Sequence, residues 1–313
     1  MTRRWRPRAL RRGDLVAVAS PCSPPDPERL DAAVRVLEGW GLEVRVQPHA
    51  RDRHPDLGYL AGSDADRAKD LQDALAAPDV AAVFCARGGD GAHRTLERLD
   101  LGALRGAEPK AFIGFSDVTA LHEALSVELG AVTLHGPVVG TAYFAGDPAA
   151  EEDLRAHLFE PESRLRIAPP GAEPLVGGSA RGVLIGGNLS LLSDGLATPH
   201  SRPSAEGGLL LLEDVGEDVS RLDRMLTQLL RSGWLDGVRG VLLGSWADCT
   251  PGPGEIRAMM LDRLAPLGVP VVDGFGFGHI PAQLTIALGA AAALDADAGT
   301  LVLDEPALEP AAG

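Results

Sequence analysis

The sequence predicts an α/β fold, with a mostly parallel sheet in the first half of the chain and a smaller, strand-rich unit in the second half. In the first half, short apolar runs alternate with stretches whose apolar residues have helical spacing. This alternation is typical of βαβ units, whose ligands bind at the carboxyl ends of the strands. In the second half, short apolar runs stand in glycine-rich surroundings. A proline-rich stretch separates the two patterns, so we expect domains at 1–145 and 181–313 joined by a linker at 146–180.

The elements of the first domain follow from these periodicities. The run LVAVA at 15–19 is short, apolar and bounded by turn residues, which predicts a buried strand. Residues 24–40 carry apolar side chains at helical spacing and are followed by Gly41, which favours the end of a helix. The same periodicities predict later strands at 42–46, 80–85 and 111–115, and later helices at 64–77, 92–99 and 118–125.

The second domain is predicted to contain several strands and one clear helix. The strands are indicated by short apolar runs at 183–185, 209–212, 241–243 and 271–272. Residues 221–232 have an apolar face, and Gly233 follows them as a stop. Ser220 and Asp223 have the spacing of a capping box at the start of this helix.

Charge and composition argue against several classes of function. The chain has 313 residues and a formal net charge of −15, which disfavours nucleic acid as the main partner because such binding depends on neutralising phosphates. No stretch approaches the roughly 18 consecutive apolar residues of a membrane span, and no cluster of His, Cys and Asp has metal-ligand spacing. The three cysteines (Cys22, Cys85 and Cys249) are far apart and odd in number, which is typical of a reducing compartment. We therefore expect a cytoplasmic protein without membrane contact.

The loop RGGDG at 87–91 follows a predicted strand and precedes a predicted helix. Its glycines let backbone N–H groups point at an anion, and the dipole of the following helix adds to the attraction. One interpretation is a phosphate cradle, since GGDG resembles the nucleotide-binding motif of NAD and diacylglycerol kinases. A second is an oxyanion hole, in which an N–H group faces a developing negative charge. A third is a tight turn with no further role.

The segment KAFIGFSDVTALHEAL at 110–125 places a serine where a predicted strand passes into a predicted helix. Ser116 is compatible with two roles, a nucleophile held on the turn or a cap for the N–H groups of the helix. It is not part of a G-x-S-x-G elbow, because residue 118 is valine, so the α/β-hydrolase fold is not supported.

Two further segments contain candidate partners for this serine. Glu213 and Asp214 follow four leucines, where a carboxylate can either orient an imidazole or lie in a solvated turn. His279 lies in GFGFGHIP at 274–281, where the glycines leave room for a substrate, although most histidines are structural. Combined with Ser116, these segments supply a nucleophile, a carboxylate and a base, each near the end of an apolar strand. The order Ser, acid, His is one of several that build the same triad geometry.

The segments that carry chemistry belong to a longer ordered set. That set is LRRGDLVAVASP, GYLAGSDADRAKDL, FCARGGDGAHRTLERLD, PKAFIGFSDVTALHEAL, TLHGP, GVLIGGNLSLL, LLLLEDVGEDVSRLDRMLTQLLRSG and GFGFGHIPAQLTIALGAAAALD. Taken in order along nearly the whole chain, it resembles the LD-carboxypeptidase family of serine peptidases, which includes muramoyltetrapeptide carboxypeptidase and the microcin C immunity peptidase. Each segment alone is modest evidence, whereas the ordered set is highly specific.

This resemblance implies roles for individual residues. Ser116 corresponds to the nucleophile, Glu213 to the acid and His279 to the base, and the backbone N–H groups of Gly89 and Asp117 correspond to the oxyanion hole. The side chain of Asp117 is then free to cap the helix. The resemblance also implies a Rossmann-like N-terminal domain carrying the nucleophile, a β-rich C-terminal domain carrying the acid and the base, a homodimer and no cofactor.

For the substrate, the resemblance implies a recycled murein tetrapeptide that loses its D-alanine, with a microcin-like aminoacyl-nucleotide conjugate as the alternative. The glycine loop of the family most often carries tyrosine where this chain has Asp90, so an extra carboxylate lies near a site that receives anionic peptides. Arg87, in the same loop, is a candidate for binding the free carboxylate of the substrate.

Overall fold

A computed structural model of the chain describes residues 5–310 and contains two β-sheets. The strands are β1 (Leu15–Ala19), β2 (Glu43–Val46), β3 (Val80–Cys85), β4 (Ala111–Gly114), β5 (Thr133–His135), β6 (Arg166–Ile167), β7 (Glu173–Val176), β8 (Ser179–Asn188), β9 (Gly208–Val215), β10 (Gly240–Ala247), β11 (Val271–Asp273), β12 (Ile286–Leu288), β13 (Ala291–Asp295) and β14 (Thr300–Leu303). The α-helices are α1 (Pro27–Gly39), α2 (Asp64–Ala76), α3 (Ala92–Leu96), α4 (Thr119–Leu129), α5 (Pro148–Phe159), α6 (Leu189–Asp194), α7 (Val219–Arg231) and α8 (Pro253–Leu264). Within residues 5–310, no helix is long and apolar enough to cross a membrane.

The first sheet has the order β2-β1-β3-β4-β5-β12. Its first five strands along the chain are parallel, and β12 pairs antiparallel with β5. Alternate side chains of β1 enter different cores: Val16 and Val18 pack with residues of α1 and α5, whereas Ala17 packs with residues of α2 and α4. Because helices cover both faces, the central strands β1, β3 and β4 are apolar runs, whereas the edge strand β2 alternates between charged and apolar residues. The fold class and the strands expected for this half are confirmed.

The second sheet has the order β6-β14-β13-β8-β9-β10-β11-β7. The four strands from β8 to β11 are parallel, and antiparallel strands flank them on both sides. In β9, Leu209 and Leu211 face the core shared with the first sheet, whereas Leu210 and Leu212 face the core that contains residues of α7 and α8. The four consecutive leucines are therefore explained by burial on both faces of one strand.

The segment expected as a linker, 146–180, contains regular structure. Helix α5 begins with Pro148, and proline is favoured in the first turn of a helix because its missing N–H group is not needed there. Strands β6 and β7 lie at opposite edges of the second sheet, and β12 from the C-terminal half joins the first sheet. The proposed boundaries at 145 and 181 stay a prediction.

The predicted capping box of the helix at 221–232 is wrong. Helix α7 begins at Val219, and its N-cap is Asp218, whose carboxylate accepts a hydrogen bond from the amide of Ser220 at 2.9 Å. The Ser220 hydroxyl donates to the same carboxylate, and Asp223 forms an ion pair with Arg263. An aspartate two residues upstream provides a charged acceptor at the positive end of the helix dipole, and it takes the place that the serine was expected to fill.

The cap assignment predicts a ranking of two variants. Asp218→Ala is expected to lower the urea midpoint of unfolding, because the first turn of α7 loses its acceptor. Ser220→Ala removes a hydroxyl but keeps the Asp218 carboxylate, so its midpoint is expected to stay closer to that of the wild type. Equilibrium unfolding in urea measures both, and a larger shift for Ser220→Ala would contradict the assignment.

Candidate active site

Ser116 lies just beyond the carboxyl end of β4, in a backbone conformation that residues other than glycine rarely adopt. Its φ is +65°, and it begins a single 3-10 turn that leads into α4. The left-handed region costs a non-glycine residue about 1–2 kcal/mol, so the turn is strained at this position. Among the described residues, the Ser116 side chain makes no capping bond to the helix. The cap interpretation of Ser116 is therefore not supported, and its hydroxyl faces His279 instead.

His279 forms hydrogen bonds with two residues that are distant in sequence. Its Nε2 lies 3.1 Å from Oγ of Ser116, and its Nδ1 lies 2.7 Å from Oε2 of Glu213. The imidazole side chain is 9% exposed, and its ring packs 4.6 Å from the ring of Phe115. With Nδ1 donating to the carboxylate, Nε2 is free to accept the serine proton. The structure thus brings together the three side chains singled out from sequence.

The two carboxylates at the end of β9 differ in their partners. Glu213 is fully buried, and its second oxygen accepts a hydrogen bond from Nδ2 of Asn188 at 3.2 Å. Asp214 points elsewhere: it accepts bonds from the amide and hydroxyl of Ser190 in the first turn of α6. Glu213 alone of the two faces the imidazole, and Asp214 holds the neighbouring helix. Asn188 also donates to Asp214 at 3.0 Å, so it fixes both carboxylates.

Gly278 allows the loop that carries His279 to approach Glu213. Its φ is +100°, and a methyl group on its α-carbon would lie 2.8 Å from Oε2 of Glu213. That separation is shorter than the contacts that Cβ atoms make in real structures. Oε2 of Glu213 cannot move away without losing its hydrogen bond to His279. A glycine is therefore required beside the histidine.

The glycine loop at 87–91 lies against the Ser116 turn. A methyl group on Gly88 would lie 2.9 Å from Cβ of Ser116 and 3.1 Å from the carbonyl oxygen of Phe115. Ser23, just beyond the carboxyl end of β1, holds the loop in place: its amide donates to the Gly88 carbonyl at 3.1 Å, and its hydroxyl accepts from the Asp90 amide at 3.0 Å. Sequence reasoning missed Ser23, although its place at a strand end beside β3 was the available signal.

The amides of Gly89 and Asp117 were expected to form an oxyanion hole. Within residues 5–310, neither amide donates a hydrogen bond to the protein, and Gly89 is exposed. Each residue therefore has a backbone N–H group without a protein acceptor in this range, and both lie in segments that adjoin Ser116. Their joint role stays a prediction.

The expectation that Asp117 caps its own helix is wrong. Its carboxylate accepts a hydrogen bond from the amide of Ala92, the first residue of α3, at 2.8 Å. The side chain is buried, and burial raises the pKa of Asp117 to about 6. Since Ala92 follows the glycine loop and Asp117 follows Ser116, this bond joins the two segments that supply the expected oxyanion amides.

The remaining predicted site residues lie at the exposed rim. Nη1 of Arg87 donates to the carbonyl oxygen of Pro24 at 2.9 Å, which holds the guanidinium along the neighbouring loop. Asp90 is an exposed residue of the glycine loop, and its negative charge contributes to the raised pKa of Asp117. Within residues 5–310, neither side chain forms a hydrogen bond with Ser116 or His279.

A second buried histidine, which sequence reasoning did not single out, lies beside the site. His135 packs edge-on against Phe115, 5.8 Å away, and against Phe277, 5.6 Å away. Neither of its ring nitrogens has a hydrogen-bond partner within residues 5–310, and burial lowers its pKa well below the ordinary value. A neutral His135 places no positive charge behind His279. Among these described residues, no group of three or more His, Cys, Asp or Glu side chains forms a metal site.

Comparison with known protein families decides the affiliation. Residues 15–136 match the model described as LD-carboxypeptidase N-terminal domain, and residues 181–294 match the model described as LD-carboxypeptidase C-terminal domain. The chain belongs to the LD-carboxypeptidase family. The resemblance drawn from the ordered segments is thereby confirmed.

Relatives of this chain match most of its length. A putative carboxypeptidase of Streptomyces coelicolor is 57% identical over 97% of each chain. A probable murein peptide carboxypeptidase of Bacillus subtilis is 36% identical over 96% of this chain and 94% of its own. A murein tetrapeptide carboxypeptidase of Pseudomonas aeruginosa is 35% identical over 84% of this chain and 87% of its own.

Solved structures show the same fold. Muramoyltetrapeptide carboxypeptidase from Oxalobacter formigenes superposes with a TM-score of 0.80 at 28% identity, covering 95% of this chain and all of its own. MccF in complex with glutamyl sulfamoyl guanosine superposes with a TM-score of 0.87 at 22% identity, covering 97% of this chain and all of its own.

The close approach of the glycine loop to Ser116 predicts the effect of one methyl group. Gly88→Ala is expected to lower kcat/KM for peptide cleavage by about 100-fold, because it displaces Ser116, the predicted nucleophile, and a displacement near 1 Å at a nucleophile has that effect. Gly39→Ala is the matched control, since a methyl group there meets nothing within 4 Å. Steady-state kinetics on the folded variants measures both. Equal activity of the two variants would show that Ser116 tolerates displacement.

The raised pKa of Asp117 predicts a pH-dependent stability difference. A carboxyl group ordinarily titrates near 3.9, so between pH 4 and 6 the unfolded state binds fewer protons than the native state, and native stability falls as pH rises. Asp117→Asn removes this loss while keeping an oxygen acceptor for Ala92. We expect the stability of the variant relative to wild type to increase by about 2–3 kcal/mol from pH 4 to pH 7. Urea unfolding across this range measures the gap, and a gap independent of pH would contradict the shift.

Proposed function

We propose that this protein is a serine carboxypeptidase that hydrolyses the bond between an L-centre and a C-terminal D-amino acid. Ser116 is the nucleophile, His279 the general base and Glu213 the acid that orients it. The observation that carries the proposal is the pair of hydrogen bonds from His279, 3.1 Å to Ser116 and 2.7 Å to Glu213. A serine hydroxyl is a weak nucleophile until such a base accepts its proton.

In the proposed acylation step, Oγ of Ser116 attacks the scissile carbonyl carbon while its proton passes to Nε2 of His279. Glu213 stabilises the resulting imidazolium through Nδ1 without accepting its proton. The imidazolium then protonates the leaving amine of the D-amino acid, and the C–N bond breaks to leave an acyl-serine. Water then attacks the ester carbonyl while Nε2 of His279 takes its proton, and the imidazolium returns that proton to Oγ of Ser116 as the acyl–oxygen bond breaks, which releases the shortened peptide acid and regenerates the serine.

The negative oxygen formed in each step requires donors fixed before the reaction. The amides of Gly89 and Asp117 are proposed as those donors, because they adjoin Ser116 and make no other hydrogen bond within residues 5–310. Ser23 and the bond from Ala92 to Asp117 hold the two donor segments in position. Arg87 is proposed as the rim residue that meets the free carboxylate of the substrate, and Asp90 as a rim residue whose negative charge influences which substrates bind.

A murein tetrapeptide, losing D-alanine in cytoplasmic peptidoglycan recycling, is the proposed substrate. The relatives named for murein peptides are 35% and 36% identical to this chain. Likeness to MccF at 22% identity concerns the fold alone, so aminoacyl-nucleotide conjugates are the second candidate. Because the family match includes both halves of the chain, it favours an oxyanion role of the glycine loop over a phosphate cradle. A homodimer is proposed as the assembly.

Substrate tests with mass detection separate these candidates. Purified protein is incubated with a murein tetrapeptide, and separately with an aminoacyl-sulfamoyl nucleoside. We expect release of D-alanine from the tetrapeptide, and a fall in kcat of about 10⁴-fold or more in Ser116→Ala and in Glu213→Gln. Ser163→Ala, which changes an exposed serine far along the chain, is the control.

Several results would overturn parts of this proposal. D-alanine release that persists in Ser116→Ala would remove the serine from its role as nucleophile. Cleavage of the nucleoside conjugate without cleavage of the tetrapeptide would favour the second substrate. Tight ATP binding without cleavage of either substrate would favour the interpretation of the glycine loop as a phosphate-binding site.

A further inference from the structure

The loop that carries His279 is poorly suited to hold its own conformation. It contains Gly274, Gly276 and Gly278, with φ values of +68°, +77° and +100°. Glycine loses more conformational freedom on ordering than any other residue. Residues of this loop and of the segment 164–171 also line a pocket of about 500 Å³. Contacts with residues outside the loop must therefore fix the position of the imidazole.

Two carboxylates of the α5 segment supply such contacts. Oδ2 of Asp147 accepts a hydrogen bond from the amide of Ala282 at 2.6 Å, and Oδ2 of Asp153 accepts one from the amide of Thr285 at 2.7 Å. Both are short, charge-assisted bonds to backbone, a class about twice as strong as neutral hydrogen bonds. These two bonds hold the backbone three and six residues after His279, in the segment that leads from the loop into β12.

Each carboxylate is itself held. Oδ1 of Asp147 accepts the amide of Ala150 at 3.2 Å and so caps α5. Asp153 lies 3.6 Å from both Nδ1 of His157 and Nη1 of Arg164, and only 12% of its side chain is exposed. Contacts within the segment 147–164 thus orient the carboxylates of both Asp147 and Asp153.

We propose that Asp147 and Asp153 are positioning residues that hold His279 within hydrogen-bonding distance of Ser116. The proposal rests on the proposed function of His279 as the general base. Residues 147–159 lie outside both family-model matches, 15–136 and 181–294. The support for the base thus comes from the segment between the two matched ranges.

Variants of Asp153 test the proposal. Asp153→Ala is expected to lower kcat by about 10-fold to 100-fold with little change in KM, because the base is misplaced while the substrate still binds. Asp153→Asn keeps an oxygen acceptor for the Thr285 amide and is expected to retain most of the activity. Glu152→Gln, an exposed change on the same helix, is the matched control.

A spectroscopic readout makes the test independent of turnover. The proton NMR signal of the Nδ1–H group of His279, assigned by its loss in His279→Ala, reports the bond to Glu213. We expect it to shift or disappear in Asp153→Ala and to persist in Asp153→Asn and Glu152→Gln. If the wild type cleaves no peptide, the proposed function fails, and this signal still decides whether Asp153 positions the imidazole.

Asp147→Ser provides a second variant should Asp153→Ala fail to fold. Serine preserves the helix cap but lacks the second oxygen that reaches Ala282. We expect the same fall in kcat and the same change in the imidazole signal. Unchanged kcat and an unchanged signal in either folded variant would overturn the proposal, as would an effect confined to KM.

Discussion

The hydrogen bond between the buried carboxylate of Glu213 and the imidazole of His279 is the contact on which the candidate site depends. A fully buried carboxylate is costly unless charged or polar partners surround it. Its partners, Asn188 and His279, come from two other segments of the second half of the chain. The hydrogen bond that satisfies the Glu213 carboxylate therefore also fixes the orientation of the His279 imidazole. This bond requires glycine at 278, because a side chain there would prevent the loop from approaching Glu213.

The position of Ser116 relative to that pair follows from the junction of the two sheets. The amide of Asn188, the last residue of β8, donates to Oγ1 of Thr119, the first residue of α4, at 3.0 Å. A methyl group on Gly187 would lie 2.6 Å from the same hydroxyl, so backbone and helix meet without a side chain between them. Residues of β1, β4 and β9 also share one apolar core. The strand end that carries the serine is thereby held against the strand end that carries the acid.

Much of this arrangement could be predicted from sequence, and the failures have a common cause. Apolar runs predicted β1 and β3 correctly, because a strand that is buried on both faces consists of consecutive apolar residues that can be recognised in the sequence. The partners of Asp117, Asp153 and Ser23 were not predictable, since each bonds a backbone amide that is between 25 and 132 residues away. Periodicity describes which face of an element is buried and contains no information about which distant amide a polar side chain meets. The family resemblance supplied Ser116, Glu213 and His279 but none of these supporting contacts.

Three energetically unfavourable features of the structure lie close together, at Ser116, Asp117 and His135. Ser116 occupies a left-handed conformation that glycine would adopt without strain, and Asp117 keeps a carboxyl group where burial raises its pKa to about 6. Beside them, His135 has no partner within the described chain for either ring nitrogen. A sequence under pressure for stability alone would place glycine at 116 and asparagine at 117. Strain and unsatisfied polar groups persist where the surrounding structure enforces them, and in folded proteins they cluster at sites of chemistry. Their location at Ser116 and at residues beside it is therefore independent physical support for the catalytic role proposed for Ser116.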